Sequence, residues 1–419
     1  MKKQFSALLL SRGLSSLIQA VSLLLFVRWA GAEAFGFIAV ITSVAAVLYT
    51  LSDWGAGIHI PRSRAKQSDD LVAGGLAVSV IGNTVAAVLL TTAVLAAVIW
   101  GGVNVWLVLI PLALAAEQCT EAGLTVSVAD RVKRVVFISL LIRRLVMLVL
   151  FVGLCWLTDD PLMAYGVASL ASAVAGTVHA GLDLRRRLHG VAKARVRLQL
   201  WKEFSPFVLE NVSSATRNLD TTIVAALTSV QATGFYSAAF RLTKPLNQIG
   251  GAATAVLVPH ASRSSLADVK RAARKLSTAG GLGIILALIG GLFAEPILVL
   301  LLGDEFAVAG PVFAWALISI VPVCLAPSLG GLLQGHGYQK FVAVNGIVFA
   351  VFTLAGIFWA TMVFGIAGAA SALAVSYFLK SLVLALRIAR LRGNGVAGTV
   401  STADGLDARC VQSELRPSL

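Results

Sequence analysis

Residues 131–160 read RVKRVVFISLLIRRLVMLVLFVGLCWLTDD. The run Val135–Leu157 is 23 residues long, and an α-helix needs about 20 mainly apolar residues to cross the hydrocarbon core of a bilayer. Three basic residues precede this run and two acidic residues follow it. Because Lys and Arg collect at the cytoplasmic ends of membrane helices, the stretch predicts a membrane span that starts on the cytoplasmic side.

The rest of the chain repeats this pattern of long apolar runs. Of its 419 residues, 58% are apolar and 13% are charged, whereas a soluble protein has about 45–50% and about 25%. We therefore expect an all-α integral membrane protein with about 12 transmembrane helices, one in each run. Besides Val135–Leu157, the runs are Phe5–Val27, Ala34–Ile60, Leu71–Trp100, Val103–Ala129, Pro161–Leu182, Phe204–Leu227, Gly234–Val258, Leu276–Ala294, Phe306–Leu333, Phe341–Phe364 and Ile366–Leu386.

The net charge of +14 is distributed as a topology signal rather than as a nucleic-acid-binding surface. If the chain crosses the membrane at each run, its basic clusters all fall on one side, and only Arg28 borders the other. This asymmetry predicts that both termini are cytoplasmic, and it argues against nucleic acid as a partner. The clusters are Lys2–Lys3, Arg62–Lys66, Arg131–Arg134, Arg185–Lys202 and Arg263–Lys275, followed by Lys340 and the tail from Arg387.

Three matches at one offset of 198 residues indicate an internal repeat. The matching positions are Ser15-Ser16 with Ser213-Ser214, Gly36 with Gly234, and Pro61 with Pro259. Both copies start on the cytoplasmic side, so we expect two parallel six-helix lobes related by an axis along the membrane normal. The predicted organisation is an N-terminal lobe over 1–184, a basic cytoplasmic linker over 185–203, a C-terminal lobe over 204–391 and a disordered cytoplasmic tail over 392–419.

Twelve ionisable residues lie inside the apolar runs. Each costs roughly 2.5–3.5 kcal/mol at a helix centre, so twelve of them facing lipid would cost about 30–40 kcal/mol. They must therefore face one another or a water-filled cavity. The twelve are Arg12, Asp53, Glu117, Glu121, Arg143, Arg144, Glu210, Arg217, Asp220, Arg241, Lys244 and Lys380.

The depths of these residues along their helices, at about 1.5 Å per residue, suggest which of them are neighbours. In one interpretation the neighbours are ion pairs that hold the helices together. In the other they line a polar cavity that binds an anionic head group. The expected groups are Arg12 with Asp53, Glu121 with Arg143 and Arg144, and Asp220 with Lys244 beside Arg217 and Arg241.

The balance of charge favours a cavity for an anion. Seven of the twelve residues are basic and five are acidic, and the planar guanidinium of arginine binds phosphate through two hydrogen bonds. We expect the substrate-binding cations to be Arg12, Arg217, Arg241 and Lys244. We expect carboxylates that form ion pairs or bind a coupling ion at Asp53, Glu117, Glu121 and Asp220.

Several short motifs resemble polysaccharide-biosynthesis flippases of the Wzx type. The resemblance implies two six-helix lobes around a central cavity, as in the multidrug/oligosaccharide-lipid/polysaccharide exporter superfamily. It also implies a flippase in the bacterial inner membrane that moves lipid-pyrophosphate-linked sugar units to the outer leaflet, with a polysaccharide polymerase and glycosyltransferases as partners. The motifs are Ser11-Arg12-Gly13, Arg28–Phe37, Ser52-Asp53-Trp54-Gly55, Asn218-Leu219-Asp220, Ala232–Tyr236, Leu302–Phe306 and Leu333–Gly337.

Two other functions remain as alternatives. A cation-coupled multidrug or small-solute antiporter needs similar carboxylates but a less cationic cavity. A membrane-embedded polymerase, ligase or glycosyltransferase needs a large extramembrane loop with acid and base residues, and the outer loops of this sequence are short. We therefore expect a transporter with no catalytic residues, no metal site and no cofactor, and coupling to H+ or Na+ stays open.

Overall fold

The computed structural model describes residues 2–53, 56–65, 67–130, 132–188, 219–262 and 264–391. These residues form α-helices, two short 3-10 helices and turns, without a strand among them. The expected all-α membrane fold is therefore confirmed. In chain order the helices are α1 (Lys2–Ser52), α2 (Ala56–Ala65), α3 (Asp69–Gly101), α4 (Leu109–Ala129), α5 (Lys133–Thr158), α6 (Pro161–Arg187), α7 (Leu219–Leu227), α8 (Val230–Ala261), α9 (Leu266–Leu292), α10 (Ala294–Leu302), α11 (Gly310–Gly335) and α12 (Gln339–Arg390), and the 3-10 helices are Val105–Val108 and Asp304–Ala309.

The two longest helices, α1 and α12, each contain two spans. They have 51 and 52 residues, and a straight helix of that length would extend about 77 Å, more than twice the ~30 Å hydrocarbon core. Gly31 (φ 79°, ψ 175°) and Gly365 (φ 62°, ψ −150°) interrupt the helical dihedral angles. A residue with a Cβ atom rarely adopts positive φ, so glycine at these two positions lets the chain bend between spans.

The number of spans agrees with the apolar runs of the sequence. Eight segments of the described residues are long and apolar enough to cross a membrane, and the bends at Gly31 and Gly365 divide two of them. α8 is also long enough, with 32 residues, although it carries charged side chains. The expected run Phe204–Leu227 is described only in its last part, as α7.

Helix packing divides the chain into two bundles. In the N-terminal bundle α3 packs on α4, and α4 and α5 pack on α6, with α1 beside them; in the C-terminal bundle α11 packs on α8, α9 and α12. The bundles meet where α1 packs along α8. The boundaries expected at 185–203 and 392–419 fall largely outside the described residues and stay predictions.

The backbones of α1 and α8 cross in close contact just after Gly31. A Cβ atom on Gly36 would lie 2.0 Å from the carbonyl oxygen of Val230, and one on Gly234 would lie 1.9 Å from that of Ala32. Only glycine allows so close a crossing. Gly36 and Gly234 are also a matching pair of the internal repeat, so equivalent positions of the two halves contact each other.

A carboxylate after α10 reinforces this crossing, at what we call the Gly31 end of the molecule. The backbone N–H of Ala32 donates to both carboxylate oxygens of Glu305 at 3.4 Å. The side-chain amide of Gln231 donates to Glu305 Oε1 at 3.3 Å. Glu305 therefore connects the start of the second span of α1 with the start of α8.

At the opposite end an ion-pair network holds the N-terminal bundle. Asp130, directly after α4, accepts from Arg64 Nε at 2.9 Å and from Arg187 Nη1 at 3.0 Å. Arg64 also bonds Asp69 at 2.5 Å, and Arg187 bonds Asp183 at 2.6 Å. The hydrogen bond from Arg64, with that from Arg187, lowers the pKa of the Asp130 carboxyl below its ordinary value. The network joins α2, α4 and α6 at the end that carries the basic clusters.

Candidate functional site

Three adjoining cavities lie within and between the two bundles. The N-side cavity, of about 240 Å³, is enclosed mainly by α1, α4, α5 and α6. The central cavity, also of about 240 Å³, shares Thr42, Arg241 and Lys244 with it. The C-side cavity, of about 280 Å³, shares Asp220 and Tyr377 with the central one. Residues from both halves of the chain thus surround one interior, in which charged and polar side chains lie among apolar ones.

Arg241 of α8 lies at the junction of the N-side and central cavities. Its Nη2 donates to Thr42 Oγ1 at 2.5 Å, and its guanidinium lies 5.0 Å from the ring centroid of Phe35. Both of these residues belong to α1, so an arginine of the C-terminal half reaches across to the N-terminal half. Among the residues that the structure describes, Arg241 forms no ion pair with a carboxylate. Its contacts there are a hydroxyl group and an aromatic face, and neither carries a negative charge.

Lys244 follows three residues later, on the same face of α8 as Arg241. Its side chain is exposed and lines both the N-side and the central cavity. It forms no hydrogen bond or ion pair with any part of the chain that the structure describes. The junction of the two cavities therefore carries two positive charges, from Arg241 and Lys244, without a bonded carboxylate in the described ranges.

The expected ion pair between Asp220 and Lys244 is absent from the described residues. Asp220 lies in the first turn of α7, where its Oδ1 accepts from the backbone N–H of Thr221 at 2.7 Å. Its Oδ2 accepts from the Tyr236 hydroxyl at 3.2 Å. The carboxylate thus bonds a backbone N–H group and a neighbouring phenol rather than the lysine.

Four charged residues form a compact cluster between α4 and α5. Glu117 and Glu121 are four residues apart on α4 and share one face of the helix. Arg143 bonds Glu121 through Nη2 and Glu117 through Nη1, the latter at 3.2 Å, and Arg144 Nη2 lies 3.4 Å from Glu117 Oε1. A Cβ atom on Gly176 of α6 would lie 2.5 Å from Arg143 Cδ, so this glycine makes room for the buried arginine. Two arginines and two carboxylates balance one another here.

The remaining predicted site residues lie apart from the cavities or outside the described residues. Asp53, at the end of α1, accepts from Ser79 Oγ at 2.7 Å and lines none of the three cavities. Glu121 lines none of them either. The side chain of Arg12 and the whole of Arg217 lie outside the described residues, so the expected pair of Arg12 with Asp53 stays a prediction. Of the expected set, Glu117, Asp220, Arg241 and Lys244 line the adjoining cavities.

Several lining residues were not expected as site residues. Arg143 and Arg144 were predicted only as partners for Glu121, yet both line the N-side cavity. Neutral polar residues also line the cavities, and a search for charged residues inside apolar runs passes over them. A search for every hydrogen-bonding side chain inside those runs would have found them. They include Gln19, Thr42, Tyr165, Ser172, Ser237, Asn247 and Asn345.

Among the described residues, five cations line the three cavities, with the carboxylates Glu117 and Asp220 beside them and Glu121 bonded to Arg143. Glu117 and Glu121 bond Arg143 and Arg144. The positive charge without a bonded carboxylate in the described part of the chain therefore lies at Arg241 and Lys244. No group of three or more metal-binding side chains occurs among the described residues. The cations are Arg143, Arg144, Arg241, Lys244 and Lys380.

The sequence comparisons give one family. The sequence model of the family described as "Polysaccharide biosynthesis protein" matches residues 1–265. A search of curated proteins finds no match.

Similar folds occur among solved transporter structures. The lipid II flippase MurJ, in an inward closed conformation, superimposes with a TM-score of 0.68 at 10% identity, covering 92% of this chain and 87% of the other. An inward-facing multidrug resistance MATE transporter of the MOP superfamily superimposes with a TM-score of 0.65 at 13% identity, covering 90% of this chain and 94% of the other. A MOP superfamily transporter from Pyrococcus furiosus, whose description names a reverse polarity of its binding pocket, superimposes with a TM-score of 0.63 at 14% identity, covering 93% of this chain and 96% of the other. At identities of 10–14%, the structural likeness shows that this chain shares the fold of these transporters.

Proposed function

The chain belongs to the polysaccharide biosynthesis protein family and has the fold of the MOP superfamily transporters, and from this premise we propose that it is a flippase for a lipid-pyrophosphate-linked oligosaccharide. Family and fold are those of multi-pass membrane transporters and flippases rather than of enzymes. The proposed reaction moves the sugar-bearing head group from one leaflet to the other by alternating access, for the synthesis of a cell-surface polysaccharide.

The observation that carries this proposal is the pair Arg241 and Lys244 at the junction of the cavities. Arg241 is only partly exposed, and a charge partly taken out of water is costly unless a counter-ion compensates it. Lys244 is exposed to the two cavities that it lines and adds to the positive potential there. Neither cation has a carboxylate partner in the described part of the chain, so an anionic ligand is the natural counter-ion. A diphosphate that links a lipid to a sugar is such an anion, and the guanidinium fork of Arg241 suits its oxygens.

The orientation of the protein is proposed from its basic clusters. Lys and Arg collect at the end opposite Gly31, which we assign to the cytoplasm of a bacterial inner membrane, with both termini on that side. The crossing of Gly36 with Gly234 then closes the outer side. We propose that α1 and α8 separate there when the interior opens outward, since alternating access requires a closed end to open.

Coupling and partners belong to the same proposal. Glu117 and Asp220 line the cavities and are the candidate groups for binding a coupling H+ or Na+. A polysaccharide polymerase and glycosyltransferases are the partners expected of such a flippase, because the glycan is assembled on one side and polymerised on the other. Arg12 and Arg217 stay candidate cations for the same head group.

A cation-coupled multidrug antiporter is the second candidate, because a multidrug resistance transporter has a similar fold. Arg241 and Lys244, which no carboxylate bonds in the described part of the chain, argue against it, since they would repel a cationic drug from the junction of the cavities. For such an antiporter, replacing Arg241 by alanine removes repulsion and leaves transport unchanged or improved. For the flippase, the same change removes a ligand of the substrate.

Complementation of a strain that lacks its polysaccharide flippase tests the proposal. Arg241→Ala is expected to abolish export of the glycan, and Arg241→Lys to reduce it, because lysine keeps the charge but loses the two-pronged hydrogen bond. Arg134→Lys, an exposed arginine at the start of α5, is the matched control and is expected to export normally. With equal amounts of protein in the membrane, full export by Arg241→Ala would refute the proposal.

A further inference from the structure

We propose that the N-side cavity is a sugar subsite, which takes an uncharged sugar bonded to the diphosphate of the substrate. In this arrangement the diphosphate lies at Arg241 and Lys244, and Glu117 and Arg144 contact hydroxyl groups of the sugar. The inference rests on the proposed function and adds to it the part of the substrate that this cavity recognises.

The first argument is the different charge of the two neighbouring regions. Arg143 is bonded by Glu117 and Glu121, and Arg144 by Glu117, so this cluster has no net charge. At the junction with the central cavity, Arg241 and Lys244 carry two charges without a bonded carboxylate in the described ranges. An anion is therefore drawn to the junction, and the N-side cavity is suited to a polar group without charge.

The second argument is that hydrogen-bonding capacity is left unused on the cavity wall. The side chain of Arg143 is 2% exposed, and its Nε and that of Arg144 are buried without a hydrogen-bond partner among the described residues. The large majority of buried polar side-chain atoms in proteins have a partner. The single ion pair of Arg144 in the described residues is long, at 3.4 Å. Arg144, whose side chain is 19% exposed, has the capacity to bond oxygen acceptors of a ligand in the cavity.

The third argument is the mixture of donors and acceptors around one small space. A sugar hydroxyl both donates and accepts hydrogen bonds, so it needs a carboxylate and a guanidinium close together. Glu117 and Arg144 provide them, and Gln19, Ser172 and the ring of Tyr165 line the same cavity. Its volume of about 240 Å³ leaves room for a sugar ring.

Binding to the full-length protein in detergent tests this subsite. The probes are farnesyl diphosphate alone and farnesyl diphosphate bonded to glucose, galactose, N-acetylglucosamine or glucuronic acid, each measured by isothermal titration calorimetry. We expect at least one uncharged sugar probe to bind about tenfold or more tightly than farnesyl diphosphate, since hydrogen bonds to charged groups have this magnitude. The probe that carries glucuronic acid, an acidic sugar, is expected to gain less affinity relative to farnesyl diphosphate than the uncharged sugar probes do.

Variants separate the sugar subsite from the diphosphate site. Glu117→Gln is expected to remove most of the sugar preference and to keep the affinity for farnesyl diphosphate within about threefold. Ser172→Phe fills the N-side cavity without removing a charge. It is also expected to remove most of the sugar preference and to keep the affinity for farnesyl diphosphate, so it tests the subsite even if Glu117→Gln does not fold. Arg241→Ala with Lys244→Ala is expected to weaken all probes. Glu33→Gln, an exposed carboxylate outside the cavities, is the matched control.

The outcomes distinguish failure of the subsite from failure of the proposed function. If wild-type protein binds farnesyl diphosphate and no sugar makes binding tighter, the subsite is wrong and the flippase proposal stands. If Ser172→Phe keeps the full sugar preference, the subsite is also wrong. If wild-type protein binds neither farnesyl diphosphate nor any sugar probe, the proposed function itself is contradicted.

Discussion

Replacing Gly36 by alanine should open the end of the molecule that α1 and α8 close. The added Cβ atom would lie 2.0 Å from the carbonyl oxygen of Val230, and ordinary contact begins at 3.4 Å. The two backbones must therefore move apart by about 1.4 Å at this point. Overpacking of this kind costs about 1–3 kcal/mol. Position 36 is expected to be helical in both states, so the higher helix propensity of alanine does not change their ratio.

The cost falls on the closed state alone, so the ratio of closed to open molecules should fall by about 5- to 140-fold. We would measure this with a cysteine at Ser172, which lines the N-side cavity, after replacing the four native cysteines by alanine. A membrane-impermeant thiol reagent applied to the outside of intact cells should label this cysteine faster in the Gly36→Ala variant. The labelling rate reports how often the outer side opens.

Gly153→Ala provides the matched control for this experiment. Gly153 is also a helical glycine, but a Cβ atom there would meet no other atom within 4 Å, so labelling should not change. Gly234→Ala should behave like Gly36→Ala, because its Cβ atom would meet the Ala32 carbonyl oxygen at 1.9 Å. If Gly36→Ala protein is folded and present at wild-type level, an unchanged labelling rate would refute the assignment of this crossing as the outer closure.

Three further predictions concern the ion pairs and the carboxylate at the crossing. Asp130→Asn should lower the free energy of unfolding by about 1 kcal/mol at pH 7, as two partly exposed ion pairs would. Because the pKa of Asp130 is lowered in the folded protein from 3.8, its contribution to stability is present above that pH and is lost as the pH falls through the folded value. In thermal unfolding measured at decreasing pH, the difference between the two proteins should begin to shrink once the pH falls below 3.8, and a difference that does not shrink there would contradict the assignment. Arg143→Met should destabilise the N-terminal bundle by about 1–3 kcal/mol, since Glu121 loses its arginine and Glu117 keeps only the longer contact with Arg144. Adding Glu117→Gln should restore part of the loss in the same unfolding assay, and no recovery would show that Arg143 and Glu117 are not coupled. Glu305→Gln weakens the hydrogen bonds to Ala32 by removing a charge, so it should raise the outside labelling rate less than Gly36→Ala does, and a rate below that of wild type would contradict the contact.

Much of the fold follows from local properties of the sequence. The run Pro161–Leu182 predicted a span, and α6 runs from Pro161 to Arg187 because Asp160 caps its start by accepting from the N–H groups of Leu162 and Met163 at 3.0 Å. The bends of α1 and α12 fall at Gly31 and Gly365, within the short breaks between expected runs. Length, apolarity and helix-breaking residues act over a few residues, so a sequence reveals them.

The contacts between distant parts of the chain were less predictable. The repeat paired Gly36 with Gly234 by their spacing, but nothing in the sequence showed that the two glycines touch. Glu305 stood in a quoted motif, yet its partner Ala32 is 273 residues away. Matching depths in neighbouring helices placed Arg143 beside Glu121, whereas Asp220 at a similar depth to Lys244 bonds Thr221 and Tyr236 instead. Depth narrows the choice of partners, and rotamers and helix rotation decide among them.

The most direct test of the central claim is translocation in liposomes that contain only the purified protein. A fluorescent sugar linked to a prenyl lipid through diphosphate is placed in both leaflets, and a quencher outside reports the molecules that reach the outer leaflet. Wild-type protein should move the lipid, and the Arg241→Ala/Lys244→Ala double variant, reconstituted in equal amount, should be no faster than empty liposomes. Translocation by the double variant at the wild-type rate would contradict the account.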